Sequence, residues 1–362
     1  MRDNVTAVAR VIMMIVVAFA IAAITFSLSG YSTGGIVSNA IDAAITGPGA
    51  WQNTVRWFVP LALLGTGTVI SFRAGYYNVG AQGQFYLGSI AAFVVADNLS
   101  GPSWVVQSAA VLAGVIAGAA WSGIAAVLKI FFGTDETLAT LMLNFVGVLL
   151  LQYMVNGPLK DTSGSGQASQ SAPLPEEVRI SDTSGVSATI MVITVVALVL
   201  VWITLNRTRF GLVATLAGRN AEMVRWQGGN SRRTAITAFV ATGVLSGLAG
   251  ALDILGPDGQ LFAGFAPNVG FTAVTVALVG ILSVTGAVLA ALFFGALTAT
   301  IQFLPISTNL PPAAFDLLQA VITVLVTARS GSLLRKRIRR SNLARPAKSS
   351  SESPASVKSE VA

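Results

Sequence analysis

The chain has 362 residues, of which 54% are hydrophobic and only 10% are charged, and its mean hydropathy is +0.73. So little charge does not cover the surface of a water-soluble protein, whereas a bilayer tolerates an apolar surface. The absence of Cys and His excludes disulfides, thiol nucleophiles and zinc–thiolate sites, and it removes the most common general base.

Apolar runs long enough to cross a bilayer follow one another along most of the chain. A membrane helix needs about 20 mostly apolar residues. The pattern predicts ten spans, at 8–30, 55–72, 78–96, 104–132, 138–156, 186–206, 235–256, 270–285, 287–304 and 314–330. The predicted fold class is therefore all-α, a polytopic transmembrane bundle of about ten helices, with eight as the lower bound. The first run is too long for the apolar core of a signal peptide, which favours a retained membrane helix.

Two of the predicted regions do not look like simple spans. The third span contains Gly80, Gln82, Gly83 and Gln84 in its first turns, which indicates a helix that is broken or only partly spanning. The eighth and ninth spans are barely separated, so they form either a tight hairpin or short segments that do not cross the membrane.

An even number of spans places both termini on one side of the membrane. With cytoplasmic termini, the inner segments hold all of the 22 Lys and Arg residues except Arg56, Lys160 and Arg179. The positive-inside rule therefore predicts that both termini are cytoplasmic. Because the basic residues follow this topology, they indicate contact with membrane lipid and no nucleic-acid partner.

The predicted transmembrane domain covers residues 1–330 and includes two long polar segments. Residues 157–185 are rich in Ser, Gly and Pro and are predicted to form an extracytoplasmic loop. Residues 206–234 form a cytoplasmic loop. Residues 331–362 are predicted to be a disordered, basic cytoplasmic tail.

The cytoplasmic loop is longer than a connection between two helices requires. A short helix is predicted from Arg219 to Met223, ended by Gly228 and Gly229. Two functions fit a short amphipathic helix in this place. It lies flat in the membrane interface with Trp226 as its anchor, or it docks a cytoplasmic partner.

The string GRNAEMVRWQGGNSRRTAITAFVATGVLSGLAGAL, residues 218–252, resembles the cytoplasmic loop and the following helix of ABC-importer permeases. In that family a short helix after a Gly inserts into a groove on an ATPase subunit. The resemblance implies that ATPase coupling is carried by Gly218, Arg219, Asn220, Ala221, Glu222 and Gly228.

Three further stretches are similar to the sugar and nucleoside permeases of this family. They are FRAGYYNVGAQGQFYLGSIAA (72–92), DETLATLMLNFVGVLLLQYMVNGPLKD (135–161) and GFTAVTVALVGILSVTGAVLAALFFGAL (270–297). Gln82 stands where many relatives have Glu, which keeps hydrogen bonding but removes a charge. The resemblance covers about residues 55–330, and the TLMLN string favours the nucleoside branch.

The resemblance implies a transport subunit that is not itself an enzyme. A separate cytoplasmic ABC ATPase would hydrolyse ATP, since the chain has no GxxxxGK[ST] loop of its own. A second permease chain, identical or similar, would complete the pore. An extracytoplasmic solute-binding lipoprotein would deliver the small-molecule solute, and the complex would lie in the cell membrane. No cofactor and no metal are expected.

A polar solute needs polar groups among the membrane helices, where they are costly and are usually functional or used in packing. The candidates for the solute path are Asn78, Gln82, Gln84, Phe85, Asn144, Gln152 and Gln302. The same amides can instead join helices to one another, and the sequence leaves both interpretations open. The pairs Gly114 and Gly118, and Gly243 and Gly247, predict close packing of helices.

Three alternative functions follow from the same pattern. A permease for a simple sugar such as ribose or galactose belongs to the same family. An ion-coupled secondary transporter would favour membrane-embedded acids and inverted repeats, of which the sequence offers little. A membrane-embedded enzyme lacks the residues that chemistry requires.

Overall fold

The computed structural model describes residues 46–163, 168–180 and 187–307, together with Ser38 and Asp42, and it describes side chains as far as residue 301. The predicted spans 8–30 and 314–330, both termini and the tail 331–362 lie outside these residues. The described helices are α1 (Ala50–Arg73), α2 (Ala81–Asn98), α3 (Ser103–Phe132), α4 (Glu136–Asn156), α5 (Ala188–Arg207), α6 (Arg209–Ala217), α7 (Ala221–Trp226), α8 (Ser231–Asp253), α9 (Val269–Val279) and α10 (Val284–Ser307).

Every predicted span that falls within the described ranges coincides with a helix, so the all-α membrane bundle is confirmed. In this part of the chain, 6 helices are long and apolar enough to cross a membrane. They are α1, α3, α4, α5, α8 with the π-helical turn Ile254–Asp258 that follows it, and α10.

The helices α2 and α9 are the two irregular members of the bundle, as the sequence predicts. The helix α9 has 11 residues and is therefore about 16 Å long, roughly half the thickness of the hydrocarbon. The helix α2 begins only at Ala81, after an irregular, non-helical stretch at residues 76–79. The predicted span 78–96 thus starts with a non-helical segment.

The bundle has central and peripheral helices. In their most apolar parts, α1 and α8 are 78% and 72% buried, whereas α3, α4 and α5 are only 28% buried. The helix α2 packs against α3, α4 and α8, and α10 packs against α1. The uncovered apolar faces of the peripheral helices are those that lipid or another chain can cover.

Glycines let α2, α3 and α8 cross without side chains between them. A Cβ atom on Gly247 of α8 would overlap the carbonyl oxygen of Gly114 of α3, and one on Gly118 would overlap the carbonyl oxygen of Gly243. Gly88 of α2 meets the backbone of Gly247 in the same place. The predicted close packing at these glycine pairs is therefore confirmed.

The segment 168–180 packs against the connection between α8 and α9. Backbone N–H groups of Ser171 and Leu174 donate to the carbonyl oxygens of Leu261 and Gly259, both at 2.8 Å. Because these hydrogen bonds satisfy an otherwise irregular backbone, the two segments form one structured unit at this end of the bundle.

Candidate functional site

The helix α7 is closed at both ends by its own sequence. At the start, Oδ1 of Asn220 accepts a hydrogen bond from the backbone N–H of Met223 at 3.0 Å. At the end, Gly228 adopts a left-handed φ of 78°, and the Gly229 N–H donates to the carbonyl oxygen of Val224 at 2.8 Å. This is the Schellman arrangement, which requires a residue that tolerates positive φ. The predicted helix is present, but it runs from Ala221 to Trp226 because Asn220 is extended and caps it.

All residues of α7 except Val224 are exposed. Val224 is 5% exposed, whereas Trp226 is 85% exposed and Met223 43%. The preceding residues Arg219 and Asn220 are exposed as well. The helix α7 is therefore held by one buried side chain, and its charged and apolar groups are otherwise exposed at this end of the bundle.

The segment before α7 rests on the turn between α1 and α2. A Cβ atom on Gly218 would overlap the carbonyl oxygen of Arg73 and would lie 3.0 Å from the backbone nitrogen of Gly75. Gly75 has a φ of 84°, and a Cβ atom there would lie 2.9 Å from Cα of Gly218. The sequence places Gly75 and Gly218 in separate motifs, and no local pattern indicates that they meet.

A second contact joins the same turn to the start of α8. The hydroxyl of Tyr76 lies 3.2 Å from Oγ of Ser231, the first residue of that helix. The ring of Tyr76 also packs against Phe239, with ring centroids 6.0 Å apart. The α1–α2 turn therefore contacts the chain on both sides of α7, at Gly218 and at Ser231.

The side chain of Asn78 organises the stretch that leads into α2. Its Oδ1 accepts hydrogen bonds from the Gly80 N–H at 2.9 Å and from Nε2 of Gln84 at 3.2 Å. Its Nδ2 donates to Oγ of Ser122 at 3.4 Å. Asn78 is completely buried, so each of these hydrogen bonds replaces one that water would otherwise supply.

The side chain of Asn144, on α4, binds the same stretch from the other side. Its Nδ2 donates to the Val79 carbonyl oxygen at 2.9 Å, and its Oδ1 accepts from the Gly83 N–H at 2.8 Å. Oγ1 of Thr140 accepts from the Val79 N–H at 3.2 Å. Non-helical backbone inside a membrane bundle needs such partners, and these two residues of the TLMLN string provide them.

The side chain of Gln82 does the same for the connection between α8 and α9. Its Nε2 donates to the Ala266 carbonyl oxygen at 3.1 Å, and its Oε1 accepts from the Gly270 N–H at 2.6 Å. The hydroxyl of Tyr86 donates to the Phe265 carbonyl oxygen at 2.8 Å. Ala266 has a φ of 41°, an uncommon value outside glycine, and these bonds hold the turn that contains it.

The structure thus brings five of the predicted solute-path residues together around the first turns of α2. Asn78, Gln82, Gln84, Phe85 and Asn144 are each at most 2% exposed. The ring of Phe85 stacks on Phe265, with centroids 5.5 Å apart. Oε1 of Gln84 is the exception within this group, since no hydrogen-bond partner for it occurs among the described residues. The burial of these five side chains favours the interpretation that they join helices and form hydrogen bonds with otherwise unpaired backbone groups.

The remaining two candidates lie elsewhere. Gln152 is exposed on α4, beside Tyr153, which is 63% exposed. Gln302 belongs to α10, but its side chain lies outside the described part of the structure.

An ion pair at the start of α1 escaped sequence reasoning. Arg56 pairs with Asp258, in the π-helical turn after α8. Arg179, from the segment 168–180, donates to the carbonyl oxygens of Gly256 and Pro257 at 3.1 and 3.2 Å. Arg56 and Arg179 are two of the three basic residues that the predicted topology places outside the cell, and that prediction is the only signal the sequence carries for them.

Comparison with known protein families identifies the family to which the chain belongs. Residues 51–327 match the family described as branched-chain amino acid transport system / permease component. The chain belongs to this permease family. The matched region contains the amide contacts of α2, the helix α7 with the residues on either side of it, and the glycine crossing.

Characterised relatives in this permease family carry several solute names. The chain is 34% identical over 285 residues to the glucose ABC transporter permease protein TsgB13 of Haloferax volcanii, covering 75% of this chain and 74% of that protein. It is 30% identical to the guanosine ABC transporter permease protein NupP of Bacillus subtilis, covering 87% and 91%. It is 26% identical to the nucleoside ABC transporter permease protein NupB of Lactococcus lactis, covering 76% and 78%.

As a permease of this family, the chain is a multi-pass protein of the cell membrane and a transport subunit. The long apolar helices cross the membrane, and α7 with its flanking residues provides an exposed structured surface.

Proposed function

We propose that this permease is the membrane-spanning subunit of an ATP-driven importer of nucleosides, that it forms half of the pore, and that a cytoplasmic ATPase docks on residues 218–228. The observation that supports the docking site most directly is the structure of the exposed helix α7. It is capped at both ends, fixed by the buried Val224 and exposed on its other sides.

The part of α7 that stays exposed favours docking over a position flat in the membrane interface. An interfacial helix buries a broad apolar face in the lipid. With about 3.6 residues per turn, Val224, Met223 and Trp226 share one side of α7, but Val224 is buried against the chain, so the exposed apolar face is narrow. The exposed Glu222 and Arg225 lie beside this face, and a protein groove can contact both sides at once. Trp226 and Arg225 are of the types enriched in protein interfaces.

A charge reversal on α7 tests the docking site. Glu222→Lys changes the first turn of α7 without removing its cap at Asn220, so the helix should persist while the interface is lost. We expect the ATPase to stop co-purifying and uptake to fall at least tenfold, since charge mismatches at an interface cost several kcal/mol. Glu177→Lys, an equally exposed reversal in the segment 168–180, is the matched control. Normal co-purification with Glu222→Lys would show that the ATPase docks elsewhere.

Nucleosides are the solute class that the relatives NupP and NupB favour by their names. The match to the guanosine permease extends over 87% of this chain, further than the match to the glucose permease. The direct test is uptake of radiolabelled uridine and guanosine by cells with and without the gene. Equal uptake in the two strains for both nucleosides would contradict the proposal.

A simple sugar is the second candidate, because the glucose permease TsgB13 is 34% identical to this chain. The two classes are separated by competition. Excess unlabelled glucose, ribose or galactose should leave nucleoside uptake unchanged if nucleosides are the solute. Inhibition by a sugar but not by nucleosides would favour the sugar.

The solute path is proposed to run along a face that the chain leaves uncovered, where a second permease chain completes the pore. Gln152 is the predicted path residue that the structure leaves exposed, and Gln302 stays a candidate beside it. Gln152→Leu should raise the KM for uptake several-fold without changing stability. An unchanged KM would remove Gln152 from the path. Solute is proposed to arrive from an extracytoplasmic solute-binding lipoprotein.

A further inference from the structure

The α1–α2 turn is rigidly attached to α1. The Gly75 N–H donates to the Phe72 carbonyl oxygen at 3.1 Å, and the Tyr76 N–H donates to the Ser71 carbonyl oxygen at 3.0 Å. With Gly75 at a φ of 84°, this is a second Schellman arrangement. A displacement of Gly75 therefore moves the end of α1 and the stretch that follows it, because both backbone N–H groups of the turn are hydrogen-bonded to α1.

The contact between Gly75 and Gly218 is made by backbone on both sides. Cα of Gly218 lies where a side chain on Gly75 would have to go, and the Arg73 carbonyl oxygen fills the corresponding space at Gly218. Long side chains absorb small shifts by changing rotamer, whereas a packed backbone contact passes them on. The segment that precedes α7 cannot move toward the bundle without pushing this turn.

The stretch on the far side of the turn leads directly into the buried amides. The Asn78 N–H donates to the Tyr76 carbonyl oxygen at 3.0 Å, only three residues after Gly75. Asn78 and Asn144 then hold residues 79–83, and Gln82 holds the connection before α9. One continuous set of short contacts therefore runs from the segment before α7 to the start of α2 and the irregular backbone inside the bundle.

We propose that the Gly75–Gly218 contact is a mechanical joint, through which movement of the ATPase-docking segment shifts the α1–α2 turn and the start of α2. The proposal rests on the proposed function, since it requires an ATPase on α7. It assigns a positioning role to Gly75, which lies outside the docking residues, and it gives Gly218 this role in addition to its place at the start of the docking segment. The joint converts movement of α7 into movement of the amides that hold α2, α4 and the α8–α9 connection together.

The test measures solute uptake and ATP hydrolysis in the same proteoliposomes, with the complete complex reconstituted. Gly75→Ala and Gly218→Ala each place a methyl group in the joint. For Gly75→Ala, which lies outside the docking residues, we expect the ATPase to remain bound while solute transported per ATP falls about three- to tenfold, a size that mutations between coupled sites produce. Gly218→Ala should lower transport per ATP by a similar factor.

Two matched glycine controls separate the joint from general effects of adding a methyl group. Gly123→Ala adds one within α3 where no heavy atom lies within 4 Å. Gly133→Ala adds one at a φ of 66°, also in open space, and so reproduces the backbone strain of Gly75→Ala without its contact. Both controls should keep transport per ATP within about twofold of the original chain.

A second measurement does not depend on the glycine variants folding. The chain has no Cys, so Tyr77→Cys provides a single labelling site on the turn, where the side chain is 57% exposed. A fluorophore there should change its emission when ATP and orthovanadate are added to the assembled complex. The control label at Phe132→Cys, 73% exposed at the end of α3, should change much less.

Three results would overturn the joint while leaving the proposed function intact. They are wild-type transport per ATP in both Gly218→Ala and Gly75→Ala, loss of ATPase binding in Gly75→Ala, or a silent label at Tyr77→Cys in an active complex. The second result would make Gly75 part of the docking surface. Failure of any ATPase to bind the original chain would instead contradict the proposed function, and the joint with it.

Discussion

Oε1 of Gln82 accepts a hydrogen bond at 2.6 Å from the backbone N–H of Gly270, which lies 188 residues further along the chain. The same side chain donates to the carbonyl oxygen of Ala266 at 3.1 Å. A single amide therefore satisfies one donor and one acceptor of an irregular backbone segment that is buried in the bundle. This geometry supports a structural role for Gln82. Substitutions of Gln82 should therefore change the stability of the protein before they change its transport.

Gln82→Leu should destabilise the protein by about 2–4 kcal/mol, because it leaves a buried N–H and a buried C=O without partners. The measurement is thermal unfolding in detergent, where Tm should fall by several degrees. Gln152→Leu, at an exposed position on α4, is the matched control and should leave Tm unchanged. A Gln82→Leu protein that keeps its Tm but loses uptake would indicate that Gln82 contacts the solute after all.

Gln82→Glu should be much better tolerated than Gln82→Leu. A protonated carboxyl group has one O–H donor and one carbonyl acceptor, which match the Ala266 carbonyl oxygen and the Gly270 N–H. The Tm of Gln82→Glu should lie closer to that of the original chain than to that of Gln82→Leu. Equal losses in the two variants would mean that the site accepts only an amide.

The long helices follow from the sequence because about 20 consecutive apolar residues have few alternatives in a bilayer. The irregular parts follow only in outline. Gly80 and Gly83 indicate an interrupted start of α2. The side chains that bind the backbone there, Thr140 and Asn144, lie about 60 residues further along the chain. Local periodicity carries no information on such pairings, so the sequence cannot decide between a solute path and a structural role for these amides.

The long-range contacts of residues 206–234, the segment that contains α7, are equally hidden in the sequence. The glycines after α7 predict where the helix ends, because positive φ at Gly228 is a local requirement. The contact of Gly218 with Gly75 joins two motifs that are far apart in the chain, and each glycine taken alone is compatible with an ordinary turn. Tertiary packing, which the sequence does not display, distinguishes a joint from a turn.

The ion pair between Arg56 and Asp258 should stabilise the end of the bundle where α8 ends, mainly because it prevents an unpaired charge. Arg56 is a third exposed, so its removal in Arg56→Met should cost only about 1–2 kcal/mol. The buried Asp253 neighbours Asp258, so the loss of Arg56 leaves two acids together. The double variant Arg56→Met with Asp258→Asn should therefore be more stable than the sum of the single changes indicates. Additive losses of Tm would show that the two side chains do not interact.

Gly247→Ala should destabilise the crossing of α2, α3 and α8. The added methyl group would overlap the carbonyl oxygen of Gly114, and it would lie 3.0 Å from the carbonyl carbon of that residue. Because the obstacle is backbone, the helices must move apart, which costs about 1–3 kcal/mol in a well-packed core. Gly123→Ala in α3 has open space around the new methyl group and should instead be neutral or slightly stabilising, since alanine favours helix. Unfolding in detergent measures both. Equal Tm values for the two variants would show that the glycine crossing tolerates separation and that close contact there does not contribute to stability.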